Sequence, residues 1–183
     1  MKIEFANLSA GLHMKAGESL IKAGEITEVT YTVNTIEKEN WGNTVYSADV
    51  VCNGIKAPKS LKVNCMIIDN ISGMSKEQKN RGSMVLAKNS SVSLGNLQRG
   101  KNAVAEFSLR NTGVGELKIH KADSNNKDFS IEVPSVVKPG EEFKVKATID
   151  TNKYKGDEVF TITLITNAPN RPLVNLFVSA NIN

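Results

Sequence analysis

Apolar and polar residues alternate with a period of two in several short runs of this chain, the spacing of strands that turn one face to a core. In "EFKVKATI", Phe143, Val145, Ala147 and Ile149 share one parity and Lys144, Lys146 and Thr148 the other. "EVFTITLIT" gathers Phe160, Ile162 and Leu164 on one side, and "PLVNLFVSANI" gathers Leu176, Val178, Ala180 and Ile182. In "AVAEFSLRN", Ala105, Phe107 and Leu109 oppose Val104, Glu106 and Ser108. Between the runs lie Asn111-Thr112-Gly113, Pro139-Gly140, Lys155-Gly156 and the stretch from Asn167 to Pro172. Each has turn chemistry, with glycine supplying positive φ and proline a fixed one. About seven strands in roughly 100 residues predict an antiparallel sandwich with immunoglobulin-like layering.

The pattern repeats. "SLIKAGEITEVTYTVNT" (Ser19 to Thr35) aligns without a gap on "SVVKPGEEFKVKATIDT" (Ser135 to Thr151), 116 positions later. "WGNTVYSADVVCNG" then parallels "KGDEVFTITLITNA", with Tyr46 in the place of Phe160, and "LKVNCMI" parallels "LFVSANI". The expected fold class is all-β, with two immunoglobulin-like β-sandwich domains joined by a short polar linker. A partial domain spans 1–70, a linker 71–83 and a complete domain 84–183. In the linker, Ser75 and Gln78 have capping-box spacing, which predicts a short helical turn. Met1 aligns with Leu117, so the first copy begins where the second has already used its opening strands. The expectation is a sheet with an unpaired edge, completed by another chain, by upstream sequence or by a rearranged edge. Lys2, Ile3 and Phe5 are the candidate acceptor residues beside it.

Composition narrows the chemistry. The 23 basic and 19 acidic residues leave a net charge of +4 spread along the chain. Lys56, Lys59 and Lys62 gather near one predicted hairpin tip without aromatic interleaving or an arginine fork, so nucleic acid is not an expected partner. The opening residues lack the apolar run of a signal peptide, and no segment reaches the length of a membrane span. Cys52 and Cys65 have no CxxC spacing, and the predicted hairpin, pairing around residues 56 and 57, sets Cys52 against Leu61 and Cys65 against Ala48. That keeps the sulfurs too far apart to bridge, as buried free thiols. His13 and His120 have no carboxylate or second ligand at metal spacing in the sequence. Asp123, Asn125 and Asp128 offer calcium oxygens but lack the glycine and distal glutamate of a dedicated loop. No phosphate loop, GxSxG or HExxH motif occurs, so neither catalysis nor a cofactor is expected. Trp41 and Tyr154, beside turns, are the candidate aromatic ligand contacts.

The second copy carries Leu94-Gly95 leading into a strand, Asn111-Thr112-Gly113 followed by Leu117 and Ile119, Pro139-Gly140-Glu141, Gly156, and Thr166-Asn167 with Pro169. In these it resembles the bacterial family called domain of unknown function 1573, grouped with ASH, Hydin-type and major-sperm-protein-like immunoglobulin folds. The match covers Met84 to Asn183, and Met1 to Ile68 as a partial copy. Many members carry a Cys-Gly-Cys element, which neither "KADSNNKDFS" nor "FANLSAGLHM" contains, so no redox or metal role is carried over. The resemblance implies a tandem, exported protein of the cell envelope. The expected function is a non-catalytic binding or structural module with a protein partner or self-association through sheet edges. A carbohydrate-binding or adhesin-like module using Trp41 and Tyr154, and an accessory domain of an enzyme, stand as alternatives.

Overall fold

In the computed structural model, which describes residues 1–36, 40–126 and 129–183, the chain divides into two units, Met1–Ile67 and Ile68–Asn183. Unit 1 contains β1 (Ile3–Ala6), β2 (Leu12–Ala16), β3 (Val29–Val33), β4 (Gly42–Cys52), β5 (Ile55–Lys56) and β6 (Leu61–Ile67). The long β4 organises it. β1 and β5 flank the C-terminal half of β4, and β6 runs antiparallel to its N-terminal half, from Gly42 opposite Ile67 to Ala48 opposite Leu61. β2 and β3 form a separate antiparallel ribbon. Alternation sends Leu12, Tyr46, Ala48 and Ile67 into a small core, with Met14, Val33, Trp41, Val63 and Cys65 packed against it.

Unit 2 contains α1 (Lys76–Asn80), β7 (Val85–Ala87), β8 (Ser91–Leu97), β9 (Asn102–Asn111), β10 (Leu117–Ser124), β11 (Phe129–Glu132), β12 (Val136–Val137), β13 (Glu142–Asp150), β14 (Gly156–Thr166) and β15 (Leu173–Ile182). Ser75 and Gln78 form both halves of a capping box at the start of α1, so two backbone amides that a helix end leaves unmet are satisfied locally. The strands form a five-stranded sheet in the order β12-β10-β14-β15-β8 and a four-stranded sheet in the order β11-β13-β9-β7. The inward parities anticipated above are those buried: Ala105, Phe107 and Leu109, then Val145, Ala147 and Ile149, then Phe160, Ile162 and Leu164, each at 0% exposure. Facing sheets of an immunoglobulin-like sandwich bury alternate residues of every strand in this way.

The corner "NTGVG" holds unit 2 together. Asn111 is fully buried, and its side chain makes four hydrogen bonds. Its Nδ2 donates to the carbonyls of Gly115 (2.9 Å) and Val137 (3.1 Å), while its Oδ1 accepts from the amides of Gly113 (3.1 Å) and Met84 (3.3 Å). One amide thereby ties the end of β9 to the chain entering β7, the turn into β10, and β12. Gly113 does not have the positive φ expected of it. It is required for space, because a Cβ there would run into the backbone of Gly82 to Met84.

The sequence repeat is a repeat of hydrogen bonds. The amide of Lys22 donates to Glu25 Oε2 at 3.0 Å, and that of Lys138 to Glu141 Oε2 at 2.9 Å. Gly24 and Gly140, between them, have φ of 83° and 78°. The amide of Lys2 donates to Asn53 Oδ1 at 2.7 Å, and that of Lys118 to Asn167 Oδ1 at 2.8 Å. β4 and β14 both begin at a glycine with φ of 81°. The copies diverge at the next turn. Asn53 and Gly54, with φ of 48° and 82°, form the left-handed pair of a two-residue hairpin turn, so the chain reverses at 53–54 and not around residues 56 and 57. Cys52 therefore pairs with Ile55 and Ile3, and Cys65 with Thr44. Both thiols are free and half-buried, about 27 Å apart along β4 at ~3.4 Å per residue.

Replacing Asn111 by Ala leaves buried backbone groups without partners, and is expected to destabilise unit 2 by about 3 kcal/mol. Gly113→Ala forces the 82–84 segment outward and is expected to cost about 1–3 kcal/mol. Denaturant unfolding followed by circular dichroism checks both, and a change of less than about 0.5 kcal/mol at Asn111 would contradict its role.

Candidate functional site

Unit 2 supplies the template against which unit 1 is incomplete. In unit 2, β13 lies between β11 and β9, paired with β9 over nine residues from Glu142–Arg110 to Asp150–Asn102. β15 lies between β14 and β8, with β8 parallel to it. The counterparts in unit 1 are β3 and β6, but among the described residues β3 pairs only with β2 and β6 only with β4. Among the described residues of unit 1 there is no counterpart of β7, β8 or β9.

The consequence shows in burial. Ala147 and Leu176 are at 0% exposure in unit 2, whereas Tyr31 and Leu61, in the same positions of unit 1, are 54% and 38% exposed. Val29 and Val63 are half-buried, where Val145 and Val178 are sealed. Apolar side chains that the alternation assigns to the inner face are left partly in water, alongside two rows of unpaired backbone groups.

Of the three acceptor candidates Lys2, Ile3 and Phe5, the first two do not lie on an open edge. Lys2 forms a bridge with Leu20, and the amide of Ile3 donates to the carbonyl of Ser19 at 2.8 Å, while Ile3 and Phe5 pair with Cys52 and Val50 on the other side. The 19–21 segment takes the place that β12 has beside β10, so the backbone at Lys2 and Ile3 is occupied on both sides. The missing strands belong instead beside β3 and β6.

The two aromatic candidates lie in different units, and neither is a free platform. Trp41 is half-buried and packs on the Tyr46 core. Tyr154 meets Phe160 edge-on, with ring centroids 4.9 Å apart. Trp41 lies one residue and Tyr154 two residues before the positive-φ glycine that begins β4 or β14. His13 is exposed on β2. His120 does have a carboxylate, contrary to its reading in the sequence: Asp69 Oδ2 lies 2.8 Å from its Nε2, brought there from 51 residues away. Asp123 accepts from Lys121 (2.7 Å) and from the Ser124 amide (3.0 Å), and Asn125 accepts from the Thr161 amide. The oxygens considered for calcium are thus engaged locally, and Asp128 lies outside the described residues. Among the described residues no three His, Cys, Asp or Glu side chains converge as a metal site, and no helix is long and apolar enough to cross a membrane.

One charged cluster braces unit 1. Asp49, on β4, is 8% exposed. Its carboxylate accepts from Asn7 Nδ2 at 2.8 Å and Ser60 Oγ at 2.6 Å, and pairs with Lys56 Nζ at 2.7 Å. These hydrogen bonds, Asn7 first and then Lys56 and Ser60, hold its pKa well below the usual carboxylate range. Lys56 is thereby committed to the fold, which removes it from the lysine cluster near the hairpin.

A sandwich completed by two packed sheets, preceded by a partial copy of itself, defines an immunoglobulin-like all-β protein. The chain belongs to the family described as "Protein of unknown function (DUF1573)", whose sequence profile matches residues 85–182. A crystal structure of a protein of unknown function from Porphyromonas gingivalis W83 is similar, with a TM-score of 0.69 at 18% identity over 98% of this chain and 84% of that one. An ASH/PapD-like domain of human CEP192 gives 0.44 at 13% identity, covering 65% of this chain and 96% of that domain. The periplasmic chaperone SfaE gives 0.38 at 11% identity, over 55% and 57% of the two chains. No curated protein matches.

Because the folded-state pKa of Asp49 lies below its unfolded value of about 3.9, its contribution to stability is present above about pH 4 and is lost as pH falls further. Trp41, the single tryptophan, reports unit 1. Acid unfolding followed by its fluorescence is expected to shift to higher pH in Asp49→Asn, with lower stability at pH 7. An unchanged midpoint would show that the cluster does not brace the unit.

Proposed function

We propose that this protein is a non-catalytic binding module of the cell envelope, which holds another polypeptide by completing the sheets of unit 1. The observation that carries the reading is the contrast between equivalent positions. Side chains sealed beneath β8 and β9 in unit 2 are open in unit 1, beside two unpaired strand edges. Backbone groups along such an edge give affinity to an incoming strand, and the alternating inward pockets select its side chains. The envelope setting enters through the family resemblance, and cell fractionation with an antibody to the chain tests that part separately.

Solution mass and amide exchange test the binding mode together. For a monomer by light scattering, the amides of β3 and β6 are expected to exchange much faster than those of β13 and β15, since one edge of each is unpaired. A dimer with both edges protected also supports completion by a second polypeptide, in that case another copy. A monomer in which β3 and β6 are as protected as β13 and β15 would overturn the reading.

A further inference from the structure

The proposed binding mode, on which this inference rests, leaves open which edge receives a strand and what that strand looks like. The repeat answers both. Val29, Tyr31 and Val33 of β3 stand in the places of Val145, Ala147 and Ile149 of β13, whose partners on β9 are Phe107, Ala105 and Ala103. On the outward face of that pair, Glu106 forms an ion pair with Lys144. Lys144, with a smaller contribution from Lys146, lowers the pKa of Glu106. In unit 1 the place of Lys144 is taken by Glu28 and that of Lys146 by Thr30. Glu28 is exposed, and among the described residues no cation pairs with it. The charge beside the acceptor edge is therefore inverted while the inward alternation of Val29, Tyr31 and Val33 is kept.

We infer that the free edge of β3 is an antiparallel acceptor for an extended segment of a protein partner that carries a basic residue in the place of Glu106. The same segment presents apolar side chains opposite Val29 and Val33 and a small residue opposite Tyr31. Tyrosine in place of alanine fills space that the incoming strand would otherwise occupy, so a large residue opposite it overpacks the face. In this register Thr30 lies directly opposite the outward position and Glu28 diagonally from it, as Lys146 and Lys144 lie from Glu106, so an acidic residue there finds neither lysine and has Glu28 within reach of a long side chain. Like charges on one face of a strand pair oppose pairing, and opposite charges favour it. A second copy of this chain offering β9 fails that condition, because β9 brings Glu106. The occupant is thus an extended segment other than β9 of a second copy, with a lysine or arginine at the outward position.

Synthetic decapeptides on the sequence Asn102–Asn111 provide the probe, added to the full chain. One has the native sequence, one carries E106K and one carries both E106K and A105F. The E106K peptide is expected to bind about fivefold tighter than the native sequence, to slow exchange of the Val29–Val33 amides, and to lose binding when A105F is added. In the Glu28→Lys protein, whose intact unit 1 is checked by Trp41 emission, the preference is expected to reverse. Peptides that protect β3 without a charge preference, or a preference that Glu28→Lys fails to reverse, would overturn this register while leaving strand addition in place. Absence of binding by all three peptides, with β3 already protected in the monomeric chain, would overturn both.

Discussion

The apolar face of a sheet leaves water only against another such face, and a sheet of few strands has little to offer its partner. Unit 2 meets that constraint with nine strands in two sheets, and all but the rim of its inward side chains are sealed. Unit 1 faces a four-stranded sheet with a two-stranded ribbon, and its fully buried apolar positions reduce to a few residues around Tyr46. The other features of unit 1 follow from this shortage. Trp41 packs against the small core, Asp49 is hydrogen-bonded from three directions at the β1–β4–β5 corner, and Tyr31 is left 54% exposed.

The repeat also shows which polar residues of such a sandwich are fixed by backbone geometry. Glu25 and Glu141 each accept the amide three residues before them across a positive-φ glycine. Asn53 and Asn167 each accept the amide of a lysine within one residue of the start of the neighbouring strand. Asn111 performs the same kind of service in unit 2 with four bonds. Motifs of this composition invite a catalytic interpretation. Here each side chain satisfies main-chain groups that a tight corner would otherwise bury unpaired.

The fold class, the parities of β9, β13, β14 and β15, the repeat and the capping box were legible in the sequence, because each depends on local periodicity or on side chains a few residues apart. What depended on long-range pairing was not. That Lys2 and Ile3 are already covered follows from the return of residues 19–21 alongside them. The open edges were therefore placed on the wrong strands, although the missing strands themselves were visible. The hairpin at Asn53-Gly54 had a usable signal, since that dipeptide favours two left-handed residues, and reading it would have set Cys52 against Ile55; the two-residue shift that then sets Cys65 against Thr44 had none. Gly113 was understood as a conformational requirement, whereas its space is taken by a segment about thirty residues earlier. Asp69 beside His120 had no signal in the spacing at all.

Glu28 also bears on how the chain is made. During synthesis β9 emerges well before its native neighbour β13, while β3, which has the same alternation as β13 at the matching positions, is already complete. The repeat thus places an unpaired strand and a look-alike acceptor in one nascent chain, the circumstance in which tandem domains misassemble. An acidic residue where β13 has a lysine opposes that wrong pairing through Glu106 and costs the native pairing nothing. On the reading proposed above, the carboxylate that favours a basic foreign strand also disfavours the pairing of one copy of the fold with the other.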